Sequence, residues 1–390
     1  MTELISIDIN KKALIIGFSH PYNAIRMMAD SIAPALSLNG YQTHVAIIGE
    51  DRFLKELEIV SDKNLELIVC LGSPPLEILI NSKRIWDFSE KKIQIITLVL
   101  DSLPYDLRMP GFVEYITQYK DAPHLSLVAF EGNIAETLAR LTGKKVVHMH
   151  HGAYCIPISK KEKKYGTRLM FWGSIEAELG KTEITHDLIE TLRRFNPWGL
   201  DENNIHSVVE RIKETTDFYG FTDLAAALNI DHRDILRAEW INGLMAIDSA
   251  IKRYRRKFVM DSLADYPIDI YGKNWDNYVS HSSNLRIMST LPDDNRAFPY
   301  ACQEYGGLIN IDPNWGNGTN ERAITALSLG INIATNKNKM VEAIDGCYQY
   351  DLSGDSIRSA CDSALENPNS RRILNEFSWQ HVVTKMLREI

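Results

Sequence analysis

No Cys-x-x-Cys spacing occurs in the chain: its five cysteines, Cys70, Cys155, Cys302, Cys347 and Cys361, are scattered along 390 residues. That scatter argues against a zinc site, a dithiol redox pair or a disulfide framework, and the thiols are expected to be reduced and mostly in cores. No apolar run approaches the roughly 20 residues that a helix needs to span a bilayer. The N-terminal MTELISIDINKK lacks the basic stretch and apolar run of a secretory signal. A cytoplasmic protein without a membrane span is expected. Positive charge is also in deficit, with 43 Lys and Arg against 51 Asp and Glu and a formal net charge of −8. General affinity for nucleic acid rests on neutralising phosphates, so such a partner is not expected. There is no Asp-x-Asp anywhere, and neither an internal repeat nor a low-complexity tract.

What is present describes a globular protein, 45% apolar and 24% charged, long enough for two domains with separate cores. KALIIG (12–17), THVAIIG (43–49), LELIVCLG (65–72), IQIITLVLD (93–101), LSLVAFEG (125–132) and KKVVHMHHG (144–152) are apolar throughout rather than alternating. That pattern predicts a parallel sheet covered on both faces. Between the first two, AIRMMADSIAPALSLNG reads as a helix closed by Gly40. The charged segment 159–165 reads as a linker. A second set of strands follows, at RLMFWGSIE (168–176), PIDIYGKNW (267–275), LRIMST (285–290), GGLINI (306–311), INIAT (331–335) and CYQY (347–350), interrupted by helical patterns over 180–262. The tail SWQHVVTKMLREI is a last amphipathic helix. The predicted fold class is α/β, with two Rossmann-like domains over 1–155 and 165–390, a helical insertion in the second and a closing C-terminal helix. Two local basic runs, SKKEKKYGTR (159–168) and KRYRRK (252–257), read as a solvated linker and the exposed face of a long helix, with contact to a polyanion or a membrane surface as the alternative.

The polar stretch NIDPNWGNGTNERAITALSLG (310–330) lies between two strand patterns and opens a helix. Thr319 or Asn320 can cap that helix, and its first-turn N–H groups and dipole suit an anion such as phosphate. An ordinary surface turn with a good cap is the alternative. In HMHH (148–151) no acidic residue or cysteine stands at a ligand spacing, so no metal site is expected, and His151 with Gly152 is a candidate for lining a cleft.

Two Rossmann-like domains, a phosphate-type loop in the second and a closing helix together resemble the GT-B glycosyltransferases. NIDPNWGNGTNERAITALSLGINIAT resembles the glycosyltransferase group 1 type C-terminal domain of CgeB-like proteins. FWGSI, IYGKNW and FSWQHVVTKML fit the same pattern, so the resemblance covers roughly 165–390. It implies a metal-independent glycosyltransferase that moves a sugar from a nucleotide-sugar donor to an unknown acceptor. A nucleotide-sugar epimerase of the same architecture, or a non-catalytic relative, is the alternative. It also implies a donor site at Gly173, Ser174, Asn317, Gly318, Thr319 and Asn320, with the cations of Arg322 and Lys273 on the diphosphate. Related transferases usually carry a ribose-binding Glu five residues before the helix-ending glycine; here that position is Thr325, and Glu321, one turn earlier, is the substitute. Without Asp-x-Asp, no metal is expected on the leaving group. For the acceptor's base, His20 in FSHPYN is preferred and Asp101 in LVLDSLPYD is its rival, both at ends of predicted strands.

Overall fold

The computed structural model describes residues 11–20, 23–80, 82–87, 93–154, 166–175, 184–196, 199–214, 238–277, 284–288, 297–312, 316–342, 344–366 and 375–390. The expected linker at 159–165, Cys155 and positions 313–315 of the polar loop lie outside the described residues.

The first sheet contains β1 (Lys12–Phe18), β2 (Gln42–Ile48), β3 (Leu65–Leu71), β4 (Gln94–Val99), β5 (Leu125–Ala129) and β6 (Val147–His148). Their order is β2-β1-β3-β4-β5-β6, and every pairing is parallel. β5 is buried at all its positions, as a strand with both faces covered must be. The second sheet contains β7 (Leu169–Trp172), β8 (Ile268–Tyr271), β9 (Leu285–Met288), β10 (Gly307–Asn310), β11 (Asn332–Asn336) and β12 (Cys347–Tyr350). It too is parallel, in the order β9-β8-β7-β10-β11-β12. That is the doubly wound Rossmann order, and strand order reverses between β7 and β10. In the first sheet it reverses between β1 and β3. Ligands of such sheets sit outside the carboxyl ends of the strands at these reversals. The chain is therefore α/β with two Rossmann-like domains, the GT-B architecture.

Helices Ile184–Arg194, Glu202–Glu214 and Ala238–Ser262 come between β7 and β8. Although inserted in the second sheet's connectivity, they share a core with the first domain. Leu188, Leu192, Ile205, Leu244 and Ile251 belong to one apolar cluster with Leu103 and Leu107. At the far end of the 25-residue helix, Val259, Met260 and Leu263 join the second domain's core beside Phe171 and Ile270. A helix of that length runs about 37 Å, enough to brace both domains. This placement corrects the reading of KRYRRK as an exposed face: Arg253 and Arg255 are 5% and 3% exposed. Packed on two sides, the helix has little solvated face left for its cations.

The chain returns to the first domain at its end. Ser378 caps helix Trp379–Glu389 by accepting from His381 N at 3.2 Å. Trp379, Val382, Val383 and Met386 pack with Val69, Ile96, Val128 and Phe130. Gly152 has no room for a Cβ because the Trp379 indole lies against it, so this glycine serves the docking of the closing helix. Next to it Ala153 N donates to Phe377 O at 2.6 Å. Cys70, Cys302 and Cys361 are buried free thiols and Cys347 is partly buried.

Candidate functional site

The carboxyl ends of both sheets face a cavity of about 1460 Å³, and the inserted helices form its third wall. Of the residues singled out in the sequence, His20, Asp101, His151, Gly173, Ser174, Lys273, Asn320, Glu321 and Arg322 line it. Gly152, Asn317, Gly318, Thr319 and Thr325 do not.

The second domain's wall is held by a buried polar network. The Asp312 carboxylate accepts from Asn310 Nδ2 at 2.8 Å, from Thr319 Oγ1 at 2.8 Å and from Asn320 Nδ2. Its backbone N–H donates to Asn336 Oδ1 at 2.7 Å. Burial raises the Asp312 pKa, and the hydrogen bonds from Thr319 and Asn310 oppose that shift. Asn320 is the cap of helix Glu321–Ser328, its Oδ1 accepting from Ala323 N at 3.0 Å. Thr319 is thus a second tie on Asp312 and not the cap. The network fixes where the helix begins and aims its first turn at the cavity. Arg322 Nη1 donates to Trp172 O, at the end of β7. Its Nε is buried with no hydrogen-bond partner among the described residues.

Two glycine turns lie beside this helix start. Gly272 has no room for a Cβ against the Gly173 carbonyl, so the turns after β7 and β8 cross backbone to backbone. Trp275 Nε1 donates to Gly173 O at 2.7 Å, and Lys273 N to Ser174 Oγ at 2.9 Å. The inserted helix supplies cations that the sequence reading places on an exposed face. Arg256 Nη1 donates to Ser174 O at 2.6 Å, and Arg253 Nε pairs with Asp187 Oδ2 at 3.1 Å. All four of these side chains line the cavity with Lys252. Their signal was the basic run itself, which only the packing of its helix turns inward.

Gly318 does not meet the cavity. A Cβ there would run into Phe130 O and Glu131 of the first domain, which corrects the expectation that its backbone approaches phosphate. The adjoining bonds make this a seam between domains. Gly132 N donates to Asn317 O at 2.9 Å, and Asn317 N donates to Glu131 Oε1 at 3.1 Å. Thr325, fully buried, accepts from Tyr154 N at 3.2 Å. Valine at Gly318 is therefore expected to lower the melting temperature and enlarge the radius of gyration in X-ray scattering, since the clash is with rigid backbone. Unchanged values for both would refute the seam.

In the first domain, His20 follows β1 and precedes a turn in which Asn23 has φ of 54°. Burial lowers the His20 pKa, while the charges of Glu321 and Asp101 act to raise it. A neutral imidazole is thus favoured near neutral pH, poised to accept a proton. Asp101 is 64% exposed and lies 3.6 Å from Lys252 Nζ. His151 is stacked on Phe130 at 4.1 Å, and burial pushes its pKa down to about 4. His150 packs on Phe377 at 4.4 Å. His151 thus packs on Phe130 as well as lining the cavity, and His150 packs beside it on Phe377.

Asp106 was missed. It is 5% exposed, lines the cavity, and accepts from Ser73 N at 3.2 Å through Oδ1. Burial pushes this carboxyl up to about 7. The available signal was a second aspartate in LVLDSLPYD, five residues after Asp101; the short helix Leu103–Leu107 turns it inward.

No family model matches the sequence, and no curated protein sequence does. Among solved structures, an S. aureus MnaA–UDP complex is 10% identical with a TM-score of 0.41, covering 95% of this chain and 91% of its own. The glycosyltransferase SnogD from Streptomyces nogalater is 11% identical with a TM-score of 0.40, covering 97% and 99%. An α-glucosyltransferase in complex with UDP-glucose and DNA containing an abasic site is 9% identical with a TM-score of 0.45, covering 96% and 94%.

Proposed function

We propose that the chain is a nucleotide-sugar-dependent enzyme, a metal-independent glycosyltransferase whose C-terminal half is of the CgeB-like kind. One observation carries the reading: the capped start of helix Glu321–Ser328, with Arg322, lines the same cavity as His20 of the first domain. Diphosphate would lie against the helix start, Arg322 and Lys273, where backbone dipoles and fixed cations stabilise the charge that develops on the leaving group. Glu321 is assigned to the ribose hydroxyls. The acceptor hydroxyl would approach from the first domain. Its oxygen bonds to the anomeric carbon, the bond from that carbon to the phosphate oxygen breaks, and its electron pair leaves with the diphosphate. His20 takes the acceptor proton.

The test is a thermal-shift screen of UDP, GDP, dTDP and CMP sugars. A ligand at 100 times its dissociation constant should stabilise the fold by about 2.7 kcal/mol. If none of these sugars shifts the melting temperature, the reading fails. The carboxyl groups of Asp101 and Asp106 on the same cavity wall also suit a nucleotide-sugar epimerase. Conversion of the donor to an epimer without added acceptor would favour that second reading.

A further inference from the structure

The least explained group in the cavity is Asp106. Its Oδ1 is occupied by Ser73 N at 3.2 Å, whereas its Oδ2 is buried and has no hydrogen-bond partner among the described residues. A buried carboxyl oxygen left unpartnered is costly. The tie to Ser73 N is made through Oδ1 and does not require Oδ2. The residue also lies on the cavity wall, where a ligand can supply the missing donor.

We propose that Asp106 grips the acceptor, accepting a hydrogen bond through Oδ2 from a hydroxyl that neighbours the reacting one, so that the acceptor is a polyhydroxylated, sugar-like compound. The inference rests on the glycosyltransferase reading and specifies its acceptor side. On the first domain Asp101 and Asp106 line the cavity with Arg108, and Lys252 of the insertion lies 3.6 Å from Asp101. Each of these carboxyl groups already has a cation acting on it, so a neutral hydroxyl donor suits this wall without adding charge. The Asp101 charge acts on both His20 and Asp106, and all three line the same cavity. Burial and the nearby Asp101 charge hold the Asp106 carboxyl up at about 7, against the bonds from Ser73 and the Arg108 charge, so an ionised, accepting fraction is present at neutral pH.

The experiment uses whichever nucleotide sugar stabilises the protein most in the thermal-shift screen, and offers it glycerol or methanol as the acceptor in competition with water. Glycerol has neighbouring hydroxyls and methanol has one. The wild-type protein should form glyceryl glycoside in preference to methyl glycoside per hydroxyl, by about tenfold for one hydrogen bond to a charged group. Asp106→Asn keeps an oxygen for Ser73 N and should abolish that preference with donor affinity unchanged. A preference that survives in Asp106→Asn, or one absent from the wild type, overturns the proposal. Equal loss of donor affinity in Asp106→Asn overturns it too, since the residue would then be holding the fold. If no nucleotide sugar binds the wild-type protein, it is the glycosyltransferase reading that fails. Asp106 is then judged by carbon-13 NMR of aspartate-labelled protein: a carboxyl resonance that is lost in Asp106→Asn and moves on addition of glycerol supports a hydroxyl subsite, and one indifferent to glycerol refutes it.

Discussion

Replacing His20 by alanine is expected to lower sugar transfer by about 100- to 10,000-fold, the usual contribution of a general base, with nucleoside diphosphate affinity unchanged. The split follows from position. His20 belongs to the loop after β1 of the first domain and lines the cavity together with the helix start at Glu321 of the second, so His20 is assigned to the acceptor and the helix start to the phosphates. Its lowered pKa comes first from burial, which disfavours the cation, and Glu321 and Asp101 recover only part of that loss. The rate of the wild type should therefore fall on the acid side below the ordinary histidine value of about 6.5, and that limb should vanish in His20→Ala. Asp101→Ala is the comparison. That carboxylate is largely exposed and lies beside Lys252. An undiminished rate in His20→Ala, joined to a large loss in Asp101→Ala, would move the base to Asp101. Wild-type rates that stay level below the ordinary histidine range would also count against His20.

Most strands of the two six-stranded sheets were legible because they are apolar runs of the right length closed by glycine or a polar turn, as in KALIIG and GGLINI. Parallel sheets bury both faces, and that leaves a plain mark on sequence. Part of the cavity was legible for a related reason. In a parallel sheet the ligand wall is the set of loops after the strands, so knowing where β1, β7, β8 and β10 end pointed to His20, Gly173, Lys273 and Arg322. The rest depends on which way a side chain turns once domains meet. Gly318 was assigned to the donor site, but a glycine does not say what approaches it; here it is the Phe130 carbonyl of the other domain. The run KRYRRK has the composition of a solvated helix face. Only a helix wedged between two cores turns Arg253 and Arg256 into a cavity, and that wedging is set by residues far along the chain, such as Leu103 and Ile270. Asp106 was hidden likewise: an aspartate in a short helix is usually a cap or a surface group, and its burial is decided by the packing of Leu103 and Leu107.

Arg322→Ala is expected to weaken nucleoside diphosphate binding by about 1.5 to 3 kcal/mol, the usual worth of hydrogen bonds to a charged group, and to weaken the matching monophosphate less. The comparison isolates the second phosphate. The residue is suited to that role by what surrounds it. It is the second residue of a capped helix, its Nη1 is anchored on Trp172 O, and its Nε is buried with no partner among the described residues. The anchor fixes the guanidinium plane before ligand arrives, so little side-chain entropy remains to be lost on binding. Arg322→Lys keeps the charge and loses the planar fork, and should recover only part of the affinity. The anchor also makes a structural role the chief competitor, since Trp172 ends the central strand β7. Thermal melting separates the two. A variant that melts like the wild type yet binds diphosphate more weakly by calorimetry places the effect in the ligand contact. A correctly folded Arg322→Ala protein with unchanged diphosphate affinity would make Arg322 a clasp on β7 and remove the phosphate from the start of this helix.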